Sequence, residues 1–543
     1  MEFNLAQVFE AVAGAVPDRD AIIWRDRRLT YADLDARADR LASVLADAGL
    51  GAHGDRADLG GHESHQDHLA IYLYNGNEYL ESMLAGFKAR VAPFNVNYRY
   101  VEEELRYLLD NCRARGIVFD GRFADTLAAV LPDLPHLETL IQVGDGPLLD
   151  GAVAYEDALA AASPGRAGVD RSPDDLYILC TGGTTGMPKG VLWRQADIYV
   201  GSMGGRNLAN GEEFASLDDI VRNAVDTGGS KMLPAPPFMH GAGHWMAFNA
   251  FNTGNTIVIQ DEVTRLEPAQ VWELVEREGV NILLLVGDAF GRPLVDALEA
   301  GDFDVSSLLA VVSGGAPLNA TIKDRFLAQA PSALVMDAVG ASETGSQMSH
   351  ISAAGAKAST GTFTPGPGAV VVSADMSSIE APGHDDDGWL AQKGRVPLGY
   401  LGDADKTART FPVIDGVRYA VPGDRARLNE AGEIELFGRD SVTINSGGEK
   451  IFAEEVEQAL AHHPDVFDVV VAGRPSDKWG NEVVAIVQCR DGVTPDQDAL
   501  LGEAATHIAR YKLPKAFVFV DQVVRSPAGK ADYRWAKEQA ATA

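Results

Sequence analysis

Ten consecutive residues, Thr181-Gly182-Gly183-Thr184-Thr185-Gly186-Met187-Pro188-Lys189-Gly190, concentrate glycine, hydroxyl side chains and a cation just after the apolar run Tyr177-Ile178-Leu179. Glycines let a backbone curl until successive N–H groups converge on one anion. The hydroxyls of Thr181, Thr184 and Thr185 add donors and Lys189 adds charge, so the segment is suited to holding phosphate. A glycine-rich turn after a buried strand is the plain alternative, and the combination of Gly, Thr, Pro and Lys argues against it. The order also differs from a kinase-type P-loop, where Ser or Thr follows the lysine. Here Pro188 precedes the lysine and Gly190 follows it.

Further along lie isolated groups that could do chemistry: His240, Glu343, Asp424, Arg439 and Lys530. Taken singly, the charged ones read as ordinary surface residues. Their local contexts change that reading. They sit within Pro236-Pro237-Phe238-Met239-His240-Gly241, Asp337-Ala338-Val339-Gly340-Ala341-Ser342-Glu343, the segment from Tyr419 to Gly423-Asp424, Gly438-Arg439 and Pro527-Ala528-Gly529-Lys530. Two more segments, Ser313-Gly314-Gly315-Ala316-Pro317-Leu318 and Ser446-Gly447-Gly448-Glu449, complete the order.

Together with the threonine-glycine loop, these segments resemble the motifs of adenylate-forming enzymes: acyl-CoA synthetases, adenylation domains of peptide synthetases, and luciferases. The resemblance spans nearly the whole chain. It implies ATP, Mg²⁺ and coenzyme A as ligands, and a carboxylic acid as substrate. It places phosphate on Thr181, Gly182, Gly183, Thr184, Thr185, Gly186, Lys189 and Ser342, and Mg²⁺ on Glu343. Gly314, Gly315, Asp337 and Val339 would flank adenine, and Asp424 and Arg439 would hold the ribose. His240 would lie beside the substrate carboxylate, Lys530 would serve catalysis from the C-terminal region, and Gly447 and Gly448 would line the pantetheine path. Each role has a physical basis, because adenylation builds negative charge on the α-phosphate and the leaving pyrophosphate. Glu343 is a hard oxygen donor of the kind Mg²⁺ accepts.

Three positions depart from the family pattern. Val339 stands where an aromatic residue commonly stacks on adenine, leaving apolar packing and Asp337 for that role. Ser441 occupies the hinge position usually held by Asp or Lys. Where some relatives place a gating Trp, this chain has His244, with Trp245 next; core packing and gating both remain open for Trp245. The wording of residues 181–194, 438–450 and 525–535 most resembles actinobacterial acyl-CoA ligases of long-chain fatty acids and steroid side chains. Small residues at Gly241, Ala242, Gly243, Gly287, Ala289, Gly314 and Gly315 suggest room for a bulky acyl tail. Two rival functions stand beside this one: an acyl-AMP ligase that delivers to a carrier protein, and a catalytically silent lipid or nucleotide sensor.

Positioning these groups requires a scaffold. Ala21–Trp24 and Leu29–Tyr31 read as an extended pair leading into a helix capped by Thr30, with Leu34, Ala38, Leu41, Leu45 and Ala48 on one face and Gly49 as its stop. From 170 to 430, short β-branched runs alternate with helical stretches, which predicts a layered α/β domain. Beyond 438–441 the pattern becomes that of a compact α+β unit. The expected organisation is therefore an adenylate-forming fold: a large α/β N-terminal domain, residues 1–438, and a small mobile C-terminal domain, residues 439–543.

Composition narrows the partners. The 543 residues carry 46 basic against 78 acidic side chains, a net charge of −32. That excludes a nucleic-acid binder or a basic lipid-surface protein, while a few local cations still suffice for phosphate. Three cysteines in no metal-like spacing suit a reducing compartment. No apolar run approaches the ~18 residues of a membrane span, and the N-terminus lacks a signal-peptide pattern, so a cytoplasmic protein is expected. A homodimer is left open. His53, His62, His65 and His68 read as a solvated loop rather than a metal site, because Gly60-Gly61 interrupts any helix there.

Overall fold

The computed structural model describes residues 1–163, 169–181, 187–356, 361–384, 386–446, 449–476, 479–493, 496–526 and 529–543. The chain divides into two compact units, one comprising 1–284, 342–346 and 394–411, the other 285–341, 347–393 and 412–543. The boundary expected near 438 falls inside the second unit.

In the first unit an eight-stranded sheet runs in the order Gly399–Tyr400, Lys189–Arg194, Leu176–Thr181, Ala92–Asn95, His68–Tyr72, Ala114–Asp120, Thr139–Val143, Ala152–Ala154. Its central strands are parallel, as in Ala70↔Phe94 and Ala70↔Ile117. Both faces are covered, which is why these strands read as continuous apolar runs. Tyr72, Phe94, Ile117, Phe119, Ile178 and Leu192 fill one side. A second set pairs Asp20–Trp24, Thr256–Ile259, Lys231–Pro234 and Ile282–Leu285 in parallel, with Arg27–Thr30 antiparallel at the edge. The Tyr31–Asp47 helix starts with Thr30 and Asp33 in a reciprocal capping box and buries Leu34, Ala38, Leu41 and Leu45. Ala48, expected on the same face, is instead exposed, because the helix ends at Asp47 and Ala48 is its cap. Gly49 adopts φ 76°, the left-handed stop.

The histidine-rich stretch corrects its expectation. His53 is exposed, but His65 and His68 are buried. His68 opens the central strand His68–Tyr72, so its ring is taken inside with the strand, bonded to Cys112 O and, at 2.7 Å, to Ser64 Oγ. Among the described residues, the only three-membered group of ligand-type side chains is Glu10, Asp35 and Asp39. That group surrounds the buried ammonium of Lys88, at 3.2, 2.6 and 2.5 Å.

In the second unit the parallel pair Ala310–Gly314 and Leu334–Ala341 lies beside antiparallel strands that include Gly388–Lys393, Asp424–Leu428 and Ile434–Arg439. Its C-terminal part is an α+β module built on a long hairpin, Val466–Ser476 against Gly480–Cys489. Val469 and Val471 pack with helix Ala453–Ala461 on one face, while Val470 and Ala472 pack with Ala536 of helix Tyr533–Ala540 on the other. Alternate side chains of Val469-Val470-Val471-Ala472 thus enter two separate cores, so this run is continuously apolar. The architecture is a large layered α/β assembly with a smaller α+β C-terminal module, as expected.

Candidate active site

Strand Leu176–Thr181 leads into the candidate phosphate loop and strand Lys189–Arg194 leads out, with Thr181 opposite Lys189. The antiparallel pairing brings both ends of the loop together. Gly182, Gly183, Thr184, Thr185 and Gly186 lie outside the described residues. Lys189 Nζ lies 2.7 Å from Asp403 Oδ2. Asp403 also caps helix Ala404–Thr410 by accepting the Lys406 N–H. The Lys189 ammonium and that N–H hold the Asp403 carboxyl below its ordinary range. Sequence reasoning missed Asp403, whose only local signal is that of a helix cap.

Glu343 belongs to the same unit. Tyr400 donates a 2.7 Å hydrogen bond to Glu343 Oε1, and Trp193 Nε1 donates to Ser342 O at 2.9 Å. The Lys406 ammonium lies over the Tyr400 ring, 3.9 Å from its centroid. Burial, and next the charge of Lys189, lower the Lys406 pKa, while Glu343 and Asp403 oppose the shift. Two cations and two carboxylates therefore share one field. A half-buried carboxylate held through one oxygen, with ammonium groups nearby, is a donor set that fits a magnesium–triphosphate ligand.

His240 precedes helix Gly241–Asn252 as its cap residue. Its neighbour Met239 is tied to the phosphate-loop strand by Asn95. Asn95 donates to Met239 O at 2.6 Å and to Cys180 O at 2.7 Å, and accepts from Cys180 N at 2.8 Å. One buried amide thus sets the spacing between two of the motifs, and no sequence pattern marked it. His244 is fully buried, and burial lowers its pKa to about 4. The neutral ring donates through Nδ1 to Phe238 O, 2.6 Å away, and accepts from Tyr177 through Nε2. Trp245 Nε1 donates to the same Tyr177 hydroxyl at 3.0 Å. Trp245 is thereby held in a hydrogen-bonded chain, and His244 is a structural residue. Two of the small residues credited with acyl space serve close packing instead. A Cβ at Gly243 would fall 2.6 Å from Pro237 O, and one at Gly287 would fall 2.5 Å from Pro317 O.

In the second unit Asp424 and Arg439 are direct cross-strand partners, with Oδ1 and Nε 3.4 Å apart. Asp337, expected beside adenine, accepts a bond from the buried Lys323 ammonium through its Oδ2. Burial raises the Asp337 pKa, and Lys323 opposes that rise. Val339 packs against the cluster of Met348, Phe363 and Leu390. Gly314 ends its strand, and Gly315 follows with φ 84°. A Cβ at Gly315 would lie 3.9 Å from Lys530 Cε, so the lysine stem passes beside this loop. Gly447, Gly448, Pro527 and Ala528 lie outside the described residues.

This geometry has matches among known proteins. Residues 9–400 match the AMP-binding enzyme family, and residues 455–530 match the AMP-binding enzyme C-terminal domain. The chain is an AMP-binding enzyme. It is 56% identical over 541 residues to the medium-chain acyl-CoA ligase Mig of Mycobacterium avium, covering 99% of this chain and 98% of that protein. It is 43% identical over 541 residues to a medium/long-chain-fatty-acid–CoA/3-oxocholest-4-en-26-oate–CoA ligase of Mycobacterium tuberculosis, covering 99% and 96%. Among solved structures, ATP-bound MatB from Rhodopseudomonas palustris aligns with TM-score 0.81 and 26% identity over 99% of each chain. No helix among the described residues of this AMP-binding enzyme is long and apolar enough to cross a membrane.

Proposed function

We propose that this AMP-binding enzyme is an acid–thiol ligase that converts a medium- or long-chain fatty acid, or a steroid side-chain acid, to its CoA thioester. The carboxylate attacks the α-phosphate of ATP to give acyl-AMP and pyrophosphate, and the CoA thiol then displaces AMP. The observation that carries this reading is likeness over 99% of the chain to acyl-CoA ligases of such acids.

The chain's own residues account for the first step. Lys189, with the loop Thr181–Gly186, binds the phosphates, and Ser342 adds a donor. Asp424 accepts from the ribose hydroxyls, and Arg439 steadies its carboxylate. His240 sits beside the substrate carboxylate. Glu343, oriented by Tyr400, would hold Mg²⁺, which would neutralise charge on the phosphate oxygens. Lys530 offsets the repulsion between the two reacting anions, a repulsion present only while the adenylate forms. The 439–543 domain turns about Ser441 between the two half-reactions, and Gly447 and Gly448 then line the pantetheine path.

The test is AMP formation across a panel of carboxylic acids. Acids of about eight to eighteen carbons and steroid alkanoates are expected to turn over far faster than acetate, since each buried CH₂ contributes about 0.8 kcal/mol. An acetate kcat/KM equal to that of dodecanoate overturns the substrate class. Thioester formed only on a carrier protein, and none on CoA, overturns the acceptor.

A further inference from the structure

The loop that carries Lys530 is closed by its own backbone. Ser526 N–H donates to Lys530 O at 2.8 Å, and Gly529 N–H donates to Ser526 O at 2.8 Å. Arg525 and Ala531 form the bridge at its base. Among the described residues, Arg525 ties it to the module. Arg525 grips Asp468 with two hydrogen bonds, Nε to Oδ2 and Nη2 to Oδ1, both 2.7 Å. Its Nη2 also donates to Val469 O at 3.3 Å, and its remaining arm, Nη1, donates to Gly529 O at 3.1 Å. The guanidinium therefore spans from the central hairpin of the α+β module to the residue before Lys530.

The surroundings make this pair rigid. Both side chains are largely buried, at 18% and 14% exposure. Asp468 Oδ1 also accepts from Val469 N–H, at 2.8 Å, which fixes the carboxylate on the strand. Gly529, with φ 70°, rests against the start of helix Gly287–Ala300: a Cβ there would lie 3.2 Å from Val286 O and 3.3 Å from Ala289 Cβ. The loop thus meets a close surface on one side and the guanidinium fork on the other. A planar fork chelating a carboxylate fixes direction as well as distance, which a lysine at the same place cannot do.

We propose that Arg525 and Asp468 are positioning residues for adenylation, acting through Gly529 to aim Lys530. This rests on the reading of Lys530 given above. Neither residue touches substrate; their effect is on where the ammonium stands when the two anions meet.

The experiment measures both half-reactions separately, pyrophosphate release from ATP and dodecanoate, and thioester formation from supplied dodecanoyl-AMP and CoA. The full-length enzymes are wild type, Arg525→Lys, Arg525→Gln, Asp468→Asn and Lys530→Ala. Displacing the loop by about an ångström predicts a loss of roughly 10²-fold in the single-turnover rate of adenylation. The KM for ATP should change little, thioester formation should stay within about twofold, and Arg525→Lys should recover only part of the loss. Full adenylation rates in Arg525→Gln and Asp468→Asn, with Lys530→Ala inactive, overturn the proposal and leave the role of Lys530 intact. Equal loss of both half-reactions in Arg525→Gln and Asp468→Asn means a structural pair and also overturns it. An active Lys530→Ala overturns the reading of the lysine itself.

Discussion

Tyr400 and Glu343, 57 positions apart in sequence, are joined by a 2.7 Å hydrogen bond from the phenol to the carboxylate. The bond engages Glu343 Oε1 and helps orient the carboxylate. Loss of an outer-shell partner of this kind typically costs 10–100-fold in metal affinity. Tyr400→Phe is therefore expected to raise the Mg²⁺ concentration needed for half-maximal adenylation by about tenfold, with a melting temperature near that of wild type. An unchanged Mg²⁺ titration would show that the bond serves packing alone.

Glu343→Gln should be more severe. It keeps the shape and the Tyr400 contact but removes the charge proposed to hold Mg²⁺, and a loss of about 10²–10³ in adenylation rate is expected. Wild-type turnover with a native melting curve would remove Glu343 from the site.

Asn95→Ala tests the joint between the phosphate-loop strand and the His240 motif. It strands Cys180 N–H, Cys180 O and Met239 O in a buried setting, and unsatisfied buried groups cost about 1–3 kcal/mol. Both a lower melting temperature and slower adenylation are expected. A stability loss with full activity would show that the two motifs hold their spacing without Asn95.

The motifs of the proposed site are legible in the sequence. Glycine, threonine and lysine in one short run announce phosphate by residue type alone, and the alternation of apolar runs announces layered sheets. What sequence could not supply are partners from distant strands. Asp403, Tyr400 and Asn95 carry no local pattern that separates them from a helix cap, a strand tyrosine or a buried amide. Burial of His65 and His68 was hidden for a related reason: the polar stretch ends inside a strand whose neighbours, Ala92 and Ala114, come from elsewhere. The small residues misled because a glycine required by backbone approach, such as Gly243, looks the same as one that leaves space for substrate.

The C-terminal module should show a pH dependence of its own. Burial raises the Glu454 carboxyl to about 7, and burial together with the charge of Glu454 raises Glu457 to about 8. Both are near 4.5 when unfolded. A raised pKa in the folded state favours the protonated form, so this contribution is complete below pH 4.5 and is lost as pH rises through about 7 and 8. Thermal unfolding between pH 5 and 9 should show this contribution falling up to about pH 8 and level above it, and Glu457→Gln should flatten the fall. Parallel curves for the two proteins would contradict the assignment.

The most direct measurement of the central claim is the product balance of the full reaction. Enzyme, ATP, Mg²⁺ and dodecanoate are combined with and without CoA, and nucleotides, pyrophosphate and acyl products are quantified together. A single turnover of pyrophosphate with enzyme-held dodecanoyl-AMP is expected when CoA is absent, and equal amounts of AMP, pyrophosphate and dodecanoyl-CoA when it is present. Formation of ADP and phosphate, or dodecanoyl-AMP that persists unconsumed in the presence of CoA, would contradict that claim.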